Sequence, residues 1–407
     1  MRDGWVQTTL GDVAKVTSGF AFSTKSWKEH GIPVIKINNV RNGQVSIENC
    51  SYIQEPVPEG ASKFLLKQGD LLITLTGEIG AIGFVTQSLP MYLNQRVGRL
   101  DLLAREKVSL EFIGLFLSLP EVRAEMWSHG KGNAQLNISP TSIQSLTINL
   151  PPLPEQKRIV DLISSVDSYI EALQQQLESA KRSRNAVLHE LLTAGGDDWI
   201  ETTLGEICAD GLFADGDWVE SKDQDPEGDY RLLQLADIGD GTFLNKSDRW
   251  MNREQFNRLG CTKLEVNDVL IARMPDPIGR ACLFPEGLPV CATVVDVAIV
   301  RTGNDTLQQF LALLINSSDF RTEASSLLTG TTRQRISRSN LAKISFVIPS
   351  QEKQLEIVNL ISLFDGEIAQ SVRVIEEAKQ LRSGLLSDLL SGQHEIPVSY
   401  DKVIGAA

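Results

Sequence analysis

Residues 159–192 read IVDLISSVDSYIEALQQQLESAKRSRNAVLHELL, and residues 357–390 read IVNLISLFDGEIAQSVRVIEEAKQLRSGLLSDLL. At an offset of 198, without insertions, identities fall at Ile159/Ile357, Val160/Val358, Leu162/Leu360, Ile163/Ile361, Asp167/Asp365 and Ile170/Ile368. They continue at Glu178/Glu376, Ala180/Ala378, Lys181/Lys379, Arg184/Arg382, Leu188/Leu386, Leu191/Leu389 and Leu192/Leu390. Working outward, Trp5-x-x-Thr8-Thr9-Leu10-Gly11 returns as Trp199-x-x-Thr202-Thr203-Leu204-Gly205. Gly69-Asp70-Leu71-Leu72-Ile73 is echoed by Asn267-Asp268-Val269-Leu270-Ile271, and Ile138-Ser139 by Ile336-Ser337. The chain of 407 residues is an internal duplication with a period near 198.

Within the quoted stretches apolar residues recur at alternating spacings of four and three. The first copy runs Ile159, Ile163, Val166, Ile170, Leu173, Leu177, Ala180, Val187, Leu191; the second runs Ile357, Ile361, Phe364, Ile368, Ile375, Ala378, Leu385, Leu389. A seam sustained over four to five heptads predicts coiled-coil helices. Arg184 and Arg382 occupy equivalent seam positions and Ser371 stands in place of Leu173; polar seam residues fix register at some cost in stability. Pro151-Pro152-Leu153-Pro154 and Pro349 stop the strands that precede the helices, and Gly195-Gly196 and Gly392 end them. Each helix is either the last core helix of its own domain or pairs with its copy. An antiparallel intramolecular pair is the simplest closure for two flanking domains, with a seam of about 50 Å at 1.5 Å per residue.

The expected fold class is α+β: two pseudo-symmetric mixed domains separated by two long helices forming an antiparallel coiled coil. The boundaries expected are a first domain at 1–150, a central spacer helix at 151–196, a second domain at 197–347, a C-terminal spacer helix at 348–393 and a tail at 394–407. Short runs such as residues 34–37, 71–75, 232–235 and 294–300, separated by Gly, Asn and Asp turns, predict strands in each domain.

Hydrophobic content of 42% and charged content of 22% are those of a globular protein. The opening residues lack an apolar signal core and no apolar run approaches a membrane span, so the expectation is a cytoplasmic protein. Cys50, Cys208, Cys261, Cys282 and Cys291 form no CxxC pair and read as scattered thiols. No GxxxxGK[ST] loop, GxSxG elbow or Asn/Asp-Pro-Pro-aromatic tetrapeptide occurs, and Thr76–Gly83 reads as a turn between strands. The four histidines lack a ligand-spaced partner. Asp223–Asp229 resembles a calcium loop only superficially, since Gln234 stands where a bidentate Glu belongs. Neither catalysis nor a metal on this chain is expected.

Taken together, the tandem duplication, LPPLPEQKRIVDLISSVD leading into a long helix, and W-x-x-T-T-L-G-D/E opening each half resemble the specificity subunit of type I restriction–modification systems. SGFAFSTKSW, GIPVIKINNV, GDLLITLTGEIG and DGDWVESKDQDPEGDYRLLQLADIGDGTF carry the resemblance further, and it covers essentially the whole chain. The second copy departs from PLPEQ, reading Ile348-Pro349-Ser350-Gln351-Glu352-Lys353. The resemblance implies a non-catalytic subunit whose two target recognition domains each read half of a bipartite double-stranded DNA sequence. It implies helices that set the spacing and dock two modification subunits, which use S-adenosylmethionine to methylate adenine. It also implies restriction subunits that use ATP and Mg for translocation and cleavage. A coiled-coil scaffold that never touches DNA is the competing class, and a hidden nuclease or transferase ranks third.

Base reading needs polar side chains on loops that reach groove edges, and phosphate contacts need cations. A loop at the same place in both halves reads Lys131, Asn133, Gln135 and Asn137 in one, and Thr331, Thr332, Arg333, Gln334 and Arg335 in the other. This is what two domains reading different half-sites would carry; a plain polar hairpin fits as well. A second group is Ser18, Phe20, Ser23 and Lys25 with Lys36, Asn38, Asn39 and Arg41. Asn94, Gln95 and Arg96, with Arg273 and Arg280, form a third. Asp217, Trp218 and Glu220 lie in an acidic stretch whose single cation, Lys222, joins the candidates; a carboxylate accepts from cytosine N4, and a solvated acidic loop is the alternative.

A net charge of −13 argues at first against nucleic acid. Residues 1–150, however, hold 14 basic and 13 acidic side chains, and residues 197–229 alone hold twelve acids and one lysine. Outside that stretch both domains are near neutral. The expectation is weak binding to DNA alone and tight binding with partners.

Overall fold

The structure is a computed structural model that describes all residues except 1–3, 42, 131–135, 276, 304–305, 331–333 and 405–407. The chain divides into two compact units, residues 1–174 with 373–407, and residues 175–372. The helices Leu153–Thr193 and Gln351–Ser391, each 41 residues long, run through both units.

Each half begins with a strand whose partner comes from its own far end: Val6–Thr9 pairs antiparallel with Thr147–Leu150, and Ile200–Thr203 with Ser345–Ile348. A short helix follows at once, Leu10–Val13 or Leu204–Ile207. The repeated Thr-Thr-Leu-Gly explains it. Asp12 accepts from the Thr9 N–H at 3.0 Å and from the Thr8 and Thr9 hydroxyls at 2.7 and 2.6 Å; Glu206 accepts from the Thr203 N–H at 2.8 Å. Leu10 and Leu204 are wholly buried. A Cβ on Gly11 or Gly205 would lie 3.1 Å from a backbone carbonyl, of Gln144 or Ala342 respectively, so the glycine permits the close approach.

The continuous apolar runs Leu71–Thr74 and Val269–Ala272 are fully buried central strands. In the first unit Leu71–Thr74 pairs antiparallel with Val97–Leu102, which pairs with Ala14–Ser18. In the second Val269–Ala272 pairs with Val297–Arg301, which pairs with Leu212–Asp215. A further sheet in each unit holds Ile32–Ile35 parallel to Met91–Leu93, or Tyr230–Leu233 parallel to Cys291–Thr293. The strand expected at 34–37 ends at Ile35, because Lys36 starts a 3₁₀ turn, Ile37–Asn39. The run expected at 294–300 begins pairing only at Val297, because residues 294–296 form a turn.

The long helices pack antiparallel. In the first unit Ile159 and Ile163 from the start of one join Leu386, Leu389 and Leu390 from the end of the other on that unit's core. In the second, Ile357 and Ile361 do the same with Leu188 and Leu192. Of the two Arg seam positions, Arg184 reaches Asp365 with Nε and Nη2 at 2.8 and 3.2 Å. Arg382 reaches Asp167 in the same bidentate way. Despite the lost PLPEQ motif, Gln354 stands where Gln156 does and acts alike. Gln156 accepts from the Ser109 N–H at 3.1 Å and donates to Pro151 O at 2.8 Å; Gln354 accepts from the Leu307 N–H and donates to Pro349 O, both at 2.9 Å. Residues 396–401 are docked rather than trailing: Ile396 is buried, Tyr400 packs on the first unit's core, and Asp401 pairs with Arg158 at 3.2 Å. No helix among the described residues is long and apolar enough to cross a membrane.

Candidate nucleic-acid interface

In the first unit, backbone hydrogen bonds draw the separate candidate segments together. Gly19 N donates to Val97 O at 3.1 Å, Phe20 N to Leu93 O at 2.8 Å and Gln95 N to Phe20 O at 3.0 Å. Asn94 N donates to Ile35 O at 3.0 Å, Leu75 N to Arg96 O at 2.9 Å and Ile138 N to Leu75 O at 2.9 Å. The loop after Ser18, the 3₁₀ turn at Lys36, the turn 94–97 and the segment at Asn137 therefore form one cradle.

The second unit repeats it. Gly216 N donates to Val297 O at 2.8 Å, Asp217 N to Thr293 O at 2.7 Å and Val294 N to Leu233 O at 3.1 Å. Arg273 N donates to Asp296 O at 2.9 Å and Ile336 N to Arg273 O at 3.0 Å. A Cβ on Gly19 would fall 2.3 Å from Leu93 O, and one on Gly216 2.2 Å from Val294 O. Only glycine allows the loop to lie against the turn.

What the cradles display differs. In the first, Ser23, Lys25, Asn38, Arg41, Gln95, Arg96 and Asn137 are exposed. The Lys36 ammonium lies 3.8 Å from the Trp27 ring centroid and donates to Ser51 Oγ at 2.6 Å, and its partial burial pulls its pKa below the ordinary lysine value. Phe20 packs on Phe22 with ring centroids 4.9 Å apart, beneath this surface. In the second, a cleft of about 540 Å³ is lined by Asp217, Trp218, Glu220, Gln234 and Asp296 among others, and Trp218 is 71% exposed. Burial raises the Asp217 carboxyl above the usual range, against the Thr262 N–H that lowers it. Lys222 is exposed and pairs with Glu220 at 2.7 Å.

Several expected readers are structural. Asn39 is buried, accepts from the Lys36 N–H at 3.1 Å and donates to Glu48 O at 3.2 Å. Asn94 is buried and accepts from the Arg96 N–H at 3.3 Å. Arg273, 4% exposed, donates to Ile336 O at 3.0 Å, to Val295 O at 3.3 Å and to Asp215. Arg280 donates to Ile238 O at 2.7 Å, Leu235 O at 3.1 Å and Pro277 O at 3.1 Å, clasping the turn that follows Gln234. Gln334 is exposed, and Arg335 pairs with Asp296 at 3.3 Å. Ser18 ends its strand beside Gly98. Lys131, Asn133, Gln135, Thr331, Thr332 and Arg333 lie outside the described residues.

Part of the acidic stretch is consumed by the fold. Asp215 holds Arg273, Asp223 holds Arg258 at 2.6 Å, Asp225 accepts from Asn252 at 2.9 Å and Glu206 caps a helix. Asp296 and Gln234 are not among the DNA-contact candidates expected from the sequence. The signal was the duplication itself, but the local offset between the copies drifts to 200 there, so that a fixed offset of 198 sets Arg96 against Val294.

Comparison with known proteins follows this twofold design. The type I restriction modification DNA specificity domain matches residues 2–182 and again 196–380, once in each half. The chain belongs to the type I restriction–modification specificity family. It is thus a non-catalytic specificity subunit that recognises a DNA target, which sets aside the scaffold and hidden-enzyme readings. It is similar to the EcoBI specificity subunit of Escherichia coli, 24% identical over 97% of this chain and 87% of that one. It is similar to the StySPI specificity subunit of Salmonella potsdam, 24% identical over 89% of this chain and 82% of that one. In fold it resembles a chain from a type I restriction–modification system solved for its assembly and conformational transition (TM-score 0.64, 17% identity, 96% and 98% of the two chains). It also resembles the S subunit of M. genitalium (TM-score 0.51, 16% identity, 96% and 97%).

Proposed function

We propose that residues 1–150 read one half of a bipartite double-stranded DNA target and residues 197–347 the other. In this reading the spacer helices, 151–196 and 348–393, set the separation and dock two modification subunits. The observation that carries it is the cradle built twice on one backbone plan from unlike side chains. Equal frames with different donor sets give two unequal half-sites. The base- and phosphate-contacting groups are drawn from Ser23, Lys25, Lys36, Asn38, Arg41, Gln95, Arg96 and Asn137 in the first domain. In the second they include Lys222, Gln334 and Arg335; Lys131, Asn133, Gln135, Thr331, Thr332 and Arg333 remain candidates outside the described residues. S-adenosylmethionine belongs to the modification subunits, and ATP and Mg to restriction subunits, in the cytoplasm.

Genomic methylation mapping in a host with and without this chain tests the reading: one bipartite methyladenine motif is lost on deletion. Removing one heptad from each helix shortens the path by about 10 Å at 1.5 Å per residue. The gap in the motif then contracts by about three base pairs at 3.4 Å each. A mutant complex that keeps the original gap refutes the role of the helices as a ruler.

A further inference from the structure

One backbone position carries opposite charges in the two domains. Arg96 and Asp296 are the third residues of matching turns, closed by Val97 N donating to Asn94 O at 3.0 Å and Val297 N to Val294 O at 2.9 Å. Each carbonyl accepts one N–H, from Leu75 or Arg273, at 2.9 Å. The two residues thus leave the same frame in the same place. Arg96 is exposed, and its guanidinium makes no hydrogen bond or ion pair among the described residues. Asp296 lines the cleft beside Trp218 and Gln234; Arg335 Nε lies 3.3 Å from its carboxylate as an ion pair without a hydrogen bond, and the side chain remains 29% exposed.

The two groups suit opposite base edges. A guanidinium is a rigid fork of donors that matches guanine O6 and N7, whereas an ionised carboxylate only accepts. The donors in the major groove are amino groups, and a carboxylate pairs with cytosine N4. A carboxylate also repels phosphate, so at a DNA-facing turn it has no backbone-gripping role.

We propose that residues 96 and 296 are the base-identity position of the two recognition domains. Arg96 reads a guanine in one half-site, and Asp296 accepts from the amino group of a cytosine in the other. This rests on the bipartite reading above and names what one position in each domain recognises.

The test uses the wild-type chain and the variants Arg96→Ala and Asp296→Asn, each assembled with its modification subunits, on duplexes bearing the mapped motif. Guanines are replaced singly by 7-deazaguanine and cytosines by N4-methylcytosine. The wild-type complex loses about 5- to 150-fold in methylation kcat/KM, as for a good base contact of about 1–3 kcal/mol, at one guanine of one half and one cytosine of the other. Arg96→Ala removes the guanine effect alone, and Asp296→Asn the cytosine effect alone. The proposal is overturned if the wild type is indifferent to every replacement. It is equally overturned if each variant keeps the full wild-type pattern, or slows methylation by one factor on all duplexes. A wild-type complex that methylates regardless of half-site sequence would instead overturn the bipartite reading itself.

Discussion

At the scale of single residues, the repeated motifs are mostly joints between backbone segments. Gln156 is fully buried, and its amide answers backbone groups of Lys107, Ser109 and Pro151. Replacing it by Leu strands a buried N–H and carbonyls, so Gln156→Leu lowers the first unit's stability by about 1–3 kcal/mol in urea titration. Asp12, fed by three donors, is held down at about pKa 2, with the Thr9 hydroxyl the largest cause. Its folded pKa lies below the unfolded value, so its stabilisation is present above about pH 4 and fades as pH falls toward 2. The difference in urea midpoint between wild type and Asp12→Asn therefore shrinks across that range. These joints were visible in the sequence as Thr-Thr-Leu-Gly, but their purpose was not. Whether an arginine faces a groove or a carbonyl depends on partners far along the chain, which is why Arg273 and Arg280 read as DNA ligands until Asp215, Ile336 and Ile238 were seen around them.

Among the elements, the helices were the most legible, because a period of 3.5 residues survives without tertiary information. Both span 41 residues at the offset the repeat demands. The seam arginines were legible only as polar interruptions; their partners Asp167 and Asp365 sit outside the apolar pattern. The Arg184 and Asp365 side chains are 17% and 51% exposed, so solvent screens the pair. Arg184→Leu then changes stability by only about 0.2–1 kcal/mol. Gly366 and Gly384 lie inside the second helix with open space where a Cβ would go. Changing either to Ala stabilises by about 0.5–1 kcal/mol, read as a raised melting temperature. The strand ends were less legible than the helices, since the 3₁₀ turn at Lys36 depends on the Asn39 side chain.

For the whole molecule, charge composition misleads until it is localised. Part of the acidity of residues 197–229 is spent on caps and internal ion pairs, and the first domain exposes Lys25, Arg41 and Arg96. The expected outcome is that the isolated chain binds DNA weakly and with a shallow salt dependence, and that assembly with modification subunits steepens it. Fluorescence anisotropy at several salt concentrations checks this; nanomolar binding by the chain alone at physiological salt contradicts it.

The unequal continuity of the two units bears on the order in which a ribosome delivers them. Residues 175–372 form a single uninterrupted stretch, whereas the first unit's core includes Leu386, Leu389, Leu390 and Ile396. During synthesis the portion translated first waits for the portion translated last, while the middle already possesses everything it needs. The earliest-made domain is thus the latest to finish, and until then the apolar face formed by Ile159 and Ile163 stays open to chaperones.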